Sequence, residues 1–170
     1  MKELDSLASA ERELLASLPM PGIDSGIDEK ERLRAEAAIF EESRRIYSCY
    51  VALAEKGDLE ALKRALFYAW YQLSEPYWLS GISELPDKET QAVVDLLESA
   101  LEQGIRDIEI DYMLPHYMAV CSYYLERFYP IPYIQSASVK DPGNTKEKAR
   151  NGEHSWAMRG QMGEYWAERA

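Results

Sequence analysis

Two cysteines and two histidines are all that this chain of 170 residues offers to a soft metal or a nucleophilic pair. Their spacing removes most of the chemistry they could serve. Cys49 and Cys121 lie far apart and cannot form the close pair of a zinc site. Both fall on apolar faces of helical patterns, where buried free thiols are expected rather than a disulfide or redox centre. The helical metal signature Glu-x-x-His is missing, because Met113 stands three residues before His116 and Asn151 three before His154. Neither a Walker A loop nor Gly-x-Gly-x-x-Gly is present to cradle nucleotide phosphates. Gly22-Ile23-Asp24-Ser25-Gly26 has its serine at the wrong position for a nucleophile elbow. No apolar run approaches the ~18 residues of a membrane span. The opening Met1-Lys2-Glu3-Leu4-Asp5 lacks a signal peptide's basic and apolar regions. The expectation is a cytoplasmic, non-catalytic protein with no metal, no cofactor and no membrane association.

What is present is acid and aromatic. The net charge is −11 and 29% of residues are charged. Residues 59–134 hold 12 acids against 5 bases, whereas residues 135–170 hold 5 against 6. Between Glu84 and Asp111, nine acids face only Lys88 and Arg106. Such a field repels nucleic-acid phosphates and attracts a basic protein partner. Glu84, Asp87, Asp95, Glu98, Glu102, Asp107 and Asp111 are the candidate partner-binding residues, weighed against a solvated face that only maintains solubility.

Periodicity reads as an all-α, single-domain bundle of five or six helices, with 28–134 as its core. Leu4, Leu7, Leu14, Leu15 and Leu18 mark a first amphipathic helix, stopped at Pro19-Met20-Pro21-Gly22. Asp28 with Glu31 has capping-box spacing and begins a helix to about Lys56, with Ile39, Ile46 and Leu53 on one stripe. Gly57 ends it and Asp58 caps its antiparallel successor. The third helix carries Leu59, Leu62, Leu66, Ala69 and Leu73, and the breadth added by Phe67, Trp70 and Tyr71 predicts burial on more than one side. Asp87 is read as the cap of a fourth helix that ends at Gly104, and a fifth begins near Ile105.

Thirteen of the nineteen aromatics lie between Phe67 and Tyr133. They fall mainly in two helical stretches, each expected to be broken by a proline, Pro76 and Pro115. Leu66, Trp70, Leu73, Leu97, Leu101, Leu114, Tyr117 and Cys121 are the expected core. Tyr129-Pro130-Ile131-Pro132-Tyr133 is expected to be extended, residues 135–150 to be a mobile loop, and 153–169 to form a C-terminal helix weakened by Gly160 and Gly163. Trp156 and Trp166 are its anchors.

A carboxylate among aromatics needs a partner or takes a raised pKa. Glu75 and Asp111 are in such company, and with Tyr77, Trp78, His116 and Tyr117 they outline a candidate pocket. Glu75, Asp111 and His116 would be its acid–base groups in a small-molecule-binding or hydrolytic protein.

Gly57-Asp58-Leu59-Glu60-Ala61-Leu62-Lys63-Arg64-Ala65-Leu66, Glu75-Pro76 with Gly81-Ile82, and Met113-Leu114-Pro115-His116-Tyr117 with Tyr123-Tyr124 carry a resemblance. The stretch from 57 to 128 resembles uncharacterised bacterial all-helical proteins that are similar to small acidic immunity proteins. The resemblance implies a binder that protects its cell from a toxin, and it assigns no functional residue. The leading expectation is therefore a protein-binding module, an immunity-type inhibitor of a basic toxin. The alternatives are a structural or regulatory homo-oligomer built on the exposed aromatics, or the pocket protein above.

Overall fold

A computed structural model describes residues 2–18, 28–128, 130–139, 156 and 158–169. Every regular element among them is helical: α1 (Lys2–Ala16), α2 (Glu29–Ala54), α3 (Leu59–Ser74), α4 (Tyr77–Ser80), α5 (Asp87–Glu102), α6 (Ile108–Glu126), α7 (Pro132–Ser138) and α8 (Gly160–Ala167). No helix of the described residues is long and apolar enough to cross a membrane.

The hairpin between α2 and α3 forms as its turn residues require. Gly57 adopts a left-handed φ of +92° that side chains disfavour. Asp58 then accepts the Ala61 amide at 3.0 Å and caps α3. Asp28, by contrast, makes no side-chain cap. The first turns of α2, 28–35, are exposed, so water can satisfy their free amides and nothing enforces the capping box.

The central element is α3, which packs against α2, α5, α6 and α8. All ten residues from Ala61 to Trp70 are buried, so the helix is enclosed on every side. Leu66, Trp70, Leu97, Leu101, Leu114, Tyr117 and Cys121 belong to the core as expected, but Leu73 does not. It lies in the last turn of α3, past the enclosed run, and is 38% exposed. The core also extends beyond 28–134: Leu4, Leu7 and Leu14 of α1, and Trp156, Met162 and Trp166 near the other end, are buried in it.

Four local expectations are corrected. Pro76 does separate α3 from α4, but Pro115 lies inside α6, whose backbone leaves helical geometry only at Cys121. Burial of Met113, Leu114 and Tyr117 holds the turns around Pro115 despite the missing amide. Pro132 starts α7 instead of extending the chain, as suits a residue with no N–H at the first helical position. The Glu98 carboxylate of α5 accepts the next two amides, Tyr133 and Ile134, at 2.8 and 2.9 Å. Residues 135–138, expected in a loop, thus complete a helix, and 140–150 lie outside the described residues. Asp87 is the first residue of α5 rather than its cap, and its carboxylate pairs with Arg127 at 2.9 Å. The last element is helical over Gly160–Ala167, and residues 153–155 also lie outside the described residues.

Candidate functional site

Enclosing α3 buries two of its cations, Lys63 and Arg64, each only 4% exposed. A buried charge without a partner is costly, and here carboxylates converge from three directions. Lys63 Nζ is 3.2 Å from both Glu60 and Asp107 and is closest to Glu109. Arg159, just before α8, grips Glu109 with two parallel bonds of 2.7 Å. It also reaches Glu60 through Nε at 2.7 Å and through Nη2. Its guanidinium carbon lies 4.8 Å from the centre of the Trp156 ring. Burial alone would raise the Glu60 and Glu109 carboxyls. Their hydrogen bonds to Arg159, with Lys63 beside both, outweigh it and hold both below the usual carboxylate range.

A second buried carboxylate, Glu11 of α1, is 1% exposed. It accepts the Tyr50 hydroxyl and, at 2.7 Å, the backbone amide of Gln161. Gly160 has φ +63°, and a Cβ there would overlap the Glu11 carboxylate, so only glycine permits this approach. Burial pushes Glu11 up to about 7, against the pull of Tyr50, Gln161 and Arg64. The Gln161 side chain donates to the Ser80 carbonyl at 2.9 Å. Through these contacts α8 is seated on α1, α3, α4 and α6 at once.

The seating creates a cleft of about 280 Å³ lined by Leu15, Tyr71, Glu75, Leu79, Gln161, Glu164, Tyr165, Glu168 and Arg169. Glu75, the C-cap of α3, lines it together with Glu164 and Glu168, while Tyr71 and Tyr165 stand at 5.5 Å in an edge-to-face pair. Burial and the nearby Glu75 push the Tyr71 hydroxyl up to about 12, so it stays a neutral donor. The Arg169 guanidinium lies over the Tyr165 ring, 3.6 Å from its centre. Three carboxylates against one resident cation, Arg169, leave the lining net negative and favour a further cation.

The six candidate pocket residues do not line one cavity. Glu75 is in the cleft. Tyr77 and Trp78 stand on the exposed corner formed by α4, beside Phe40 and Glu36. His116 and Tyr117 pack behind the cleft against Trp70, and His116 Nε2 meets the Tyr165 hydroxyl at 2.7 Å. Burial, with Arg169 adding to it, lowers the His116 pKa and favours its neutral form. Asp111 is half-buried on α6.

The acidic stretch is largely engaged within the molecule. Asp107 caps α6 through the Glu109 and Ile110 amides and pairs with Lys63. Asp87 pairs with Arg127, Glu98 holds α7, and Glu102 accepts the Tyr133 hydroxyl at 3.5 Å. Asp95 accepts from Gln91, and Glu84 is exposed with a left-handed φ of +52°.

Sequence reasoning missed Glu11, Glu60, Lys63, Arg64 and Arg159, and also Glu164 and Glu168. A signal did exist for two of them, since a helix apolar on all sides must bury any charge within it. Among the described residues no group of three or more His, Cys, Asp or Glu is placed to hold a metal ion. Comparison with protein-family models, curated proteins and solved structures finds no match to this chain.

Proposed function

We propose that this protein is a non-catalytic binding module for a basic protein partner, in the manner of an immunity protein that silences a basic toxin. The observation that carries the reading is the cleft, where Glu75, Glu164 and Glu168 line one opening and outnumber its one cation, Arg169. A lysine or arginine side chain of a partner finds there opposite charge, beside the half-buried Tyr71. The net charge of −11 adds long-range attraction that speeds encounter with a positive surface.

The test uses a short labelled peptide of alternating lysine and serine, titrated by fluorescence anisotropy. Wild type is compared with a cleft variant, Glu75→Lys with Glu164→Lys and Glu168→Lys. A control of equal net charge carries Glu31→Lys and Glu41→Lys on α2 and Glu55→Lys at its C-cap, all three exposed. The cleft variant should lose about ten-fold in affinity or more, and the control far less. Equal losses in both would mean that only the overall field attracts the peptide, and the reading would fail.

A further inference from the structure

We propose that the α4 corner, Tyr77-Trp78-Leu79, is the apolar anchor of this binding surface and receives a bulky apolar side chain carried on a basic segment of the partner. The inference rests on the reading of the cleft given above and names the kind of segment that fits it.

Three consecutive apolar side chains are exposed here, at 46%, 45% and 55%. A run of this kind is unusual on a surface without a function. The corner is also not a loose loop. Ser80 and Ile82, which follow it, are buried, and the Ser80 carbonyl is held by the Gln161 side chain. The Tyr77 ring meets Phe40 edge-on at 5.5 Å, and Trp78 meets Tyr77 edge-on at 5.1 Å. The rings are therefore ordered before any partner arrives, which lowers the entropy lost on binding.

Continuity and charge identify the occupant. Leu79 belongs to the corner and also lines the acidic cleft, and Glu75 lies just before the corner in the chain. A segment reaching from the rings into the cleft passes from an apolar surface to Glu75, Glu164 and Glu168. Basic residues flanking a leucine or aromatic side chain match both parts, in the arrangement of a desolvated anchor with a polar rim. A second copy of this chain matches poorly, because it would bring another set of carboxylates to the same place.

Two synthetic peptides decide the matter: the lysine–serine peptide above, and the same peptide with its central serine replaced by leucine. Wild type should bind the leucine peptide about ten-fold more tightly, the gain expected from burying one such side chain. Tyr77→Ser with Trp78→Ser should abolish that preference and leave the lysine–serine affinity unchanged, while Leu79→Ser, at a residue that also lines the cleft, should abolish the preference. Circular dichroism and the thermal midpoint establish that these surface variants remain folded. If wild type binds both peptides equally, or the preference survives in both corner variants, the anchor is overturned while the charge-based function stands. Binding of neither peptide removes the function and the anchor together. A wild-type dimer in sedimentation that the corner variants return to monomer would give the corner to a second copy and overturn the proposal.

Discussion

Arg159 and Glu109 face each other as a two-pronged buried ion pair, both bonds 2.7 Å, across 50 residues of sequence. Removing one member of such a pair leaves the other charged and desolvated. Arg159→Ala is therefore expected to cost about 3–5 kcal/mol, measured by urea denaturation. Arg159→Lys should recover only part of this, because an ammonium cannot reproduce the planar fork. A loss under about 1 kcal/mol, the range of exposed pairs, would mean that water reaches the cluster.

Glu11 links stability to pH in the direction opposite to its neighbours. Its native pKa, about 7, lies above the ordinary 4.5, so the folded protein holds the proton more tightly than the unfolded chain does. Its contribution is thus fully present below 4.5 and is lost as pH rises through about 7, a change on the order of 3 kcal/mol. Glu60 and Glu109, with lowered values, contribute stability that is present above the ordinary carboxylate pKa and lost as pH falls through their native values. His116, also lowered, loses its contribution as pH falls below 6.5 through its native value. The Glu11 effect is isolated by difference: the stability of Glu11→Gln relative to wild type should increase from pH 4.5 to pH 8. A pH-independent difference would place Glu11 in contact with solvent.

Glu98 is a cap donated by one helix to another. Glu98→Ala should destabilise by about 1 kcal/mol and increase amide exchange at Tyr133 and Ile134. Asp95→Ala, at an exposed side chain that accepts from Gln91 at 2.8 Å, should be nearly neutral. Comparable effects from the two would show that α7 does not depend on α5.

Leu66 and Leu114 are almost wholly enclosed, whereas Leu73 is substantially exposed. Alanine at either of the first two is expected to cost about 2–5 kcal/mol, and at Leu73 well under 1 kcal/mol. Thermal or chemical denaturation of the three variants ranks them, and a large loss at Leu73 would contradict the packing described for the end of α3.

The α2–α3 hairpin was legible because its signals are local. Gly57 permits the turn, Asp58 caps the next helix, and apolar spacing marks both faces. Pro132 misled because a proline looks the same at a helix start as in an extended segment, and the deciding group, Glu98, lies 34 residues earlier in the chain. Arg159 and Glu11 were invisible for the same reason on a larger scale, since their partners are set by three-dimensional proximity and carry no fixed spacing. The charge of the 84–111 stretch was legible, but its engagement was not. Composition counts Asp107, Glu109 and Glu98 as acids and cannot tell that they are already bonded to Lys63, Arg159 and backbone amides. Glu75 stands out by its aromatic company, and Glu164 and Glu168 flank Tyr165-Trp166 in the same way, but nothing local says that the two segments meet.

The bond from the Gln161 amide to Glu11 spans 150 positions, and it gives this helical protein an unusual order of assembly. Helical bundles fold quickly when their contacts are close in sequence, and the hairpin of α2 and α3 is of that kind. The seat of α1, however, is completed by a residue made 150 positions later. At ~5–20 residues per second, α1 waits many seconds after emerging from the ribosome before its last partner arrives. In that interval Glu11 remains in water as an ordinary ionised acid, and Glu60 and Glu109 lack Arg159. Until Gln161 is made, Leu4, Leu7 and Leu14 wait on an incomplete core, and the bond to Glu11 then locks α1 in place.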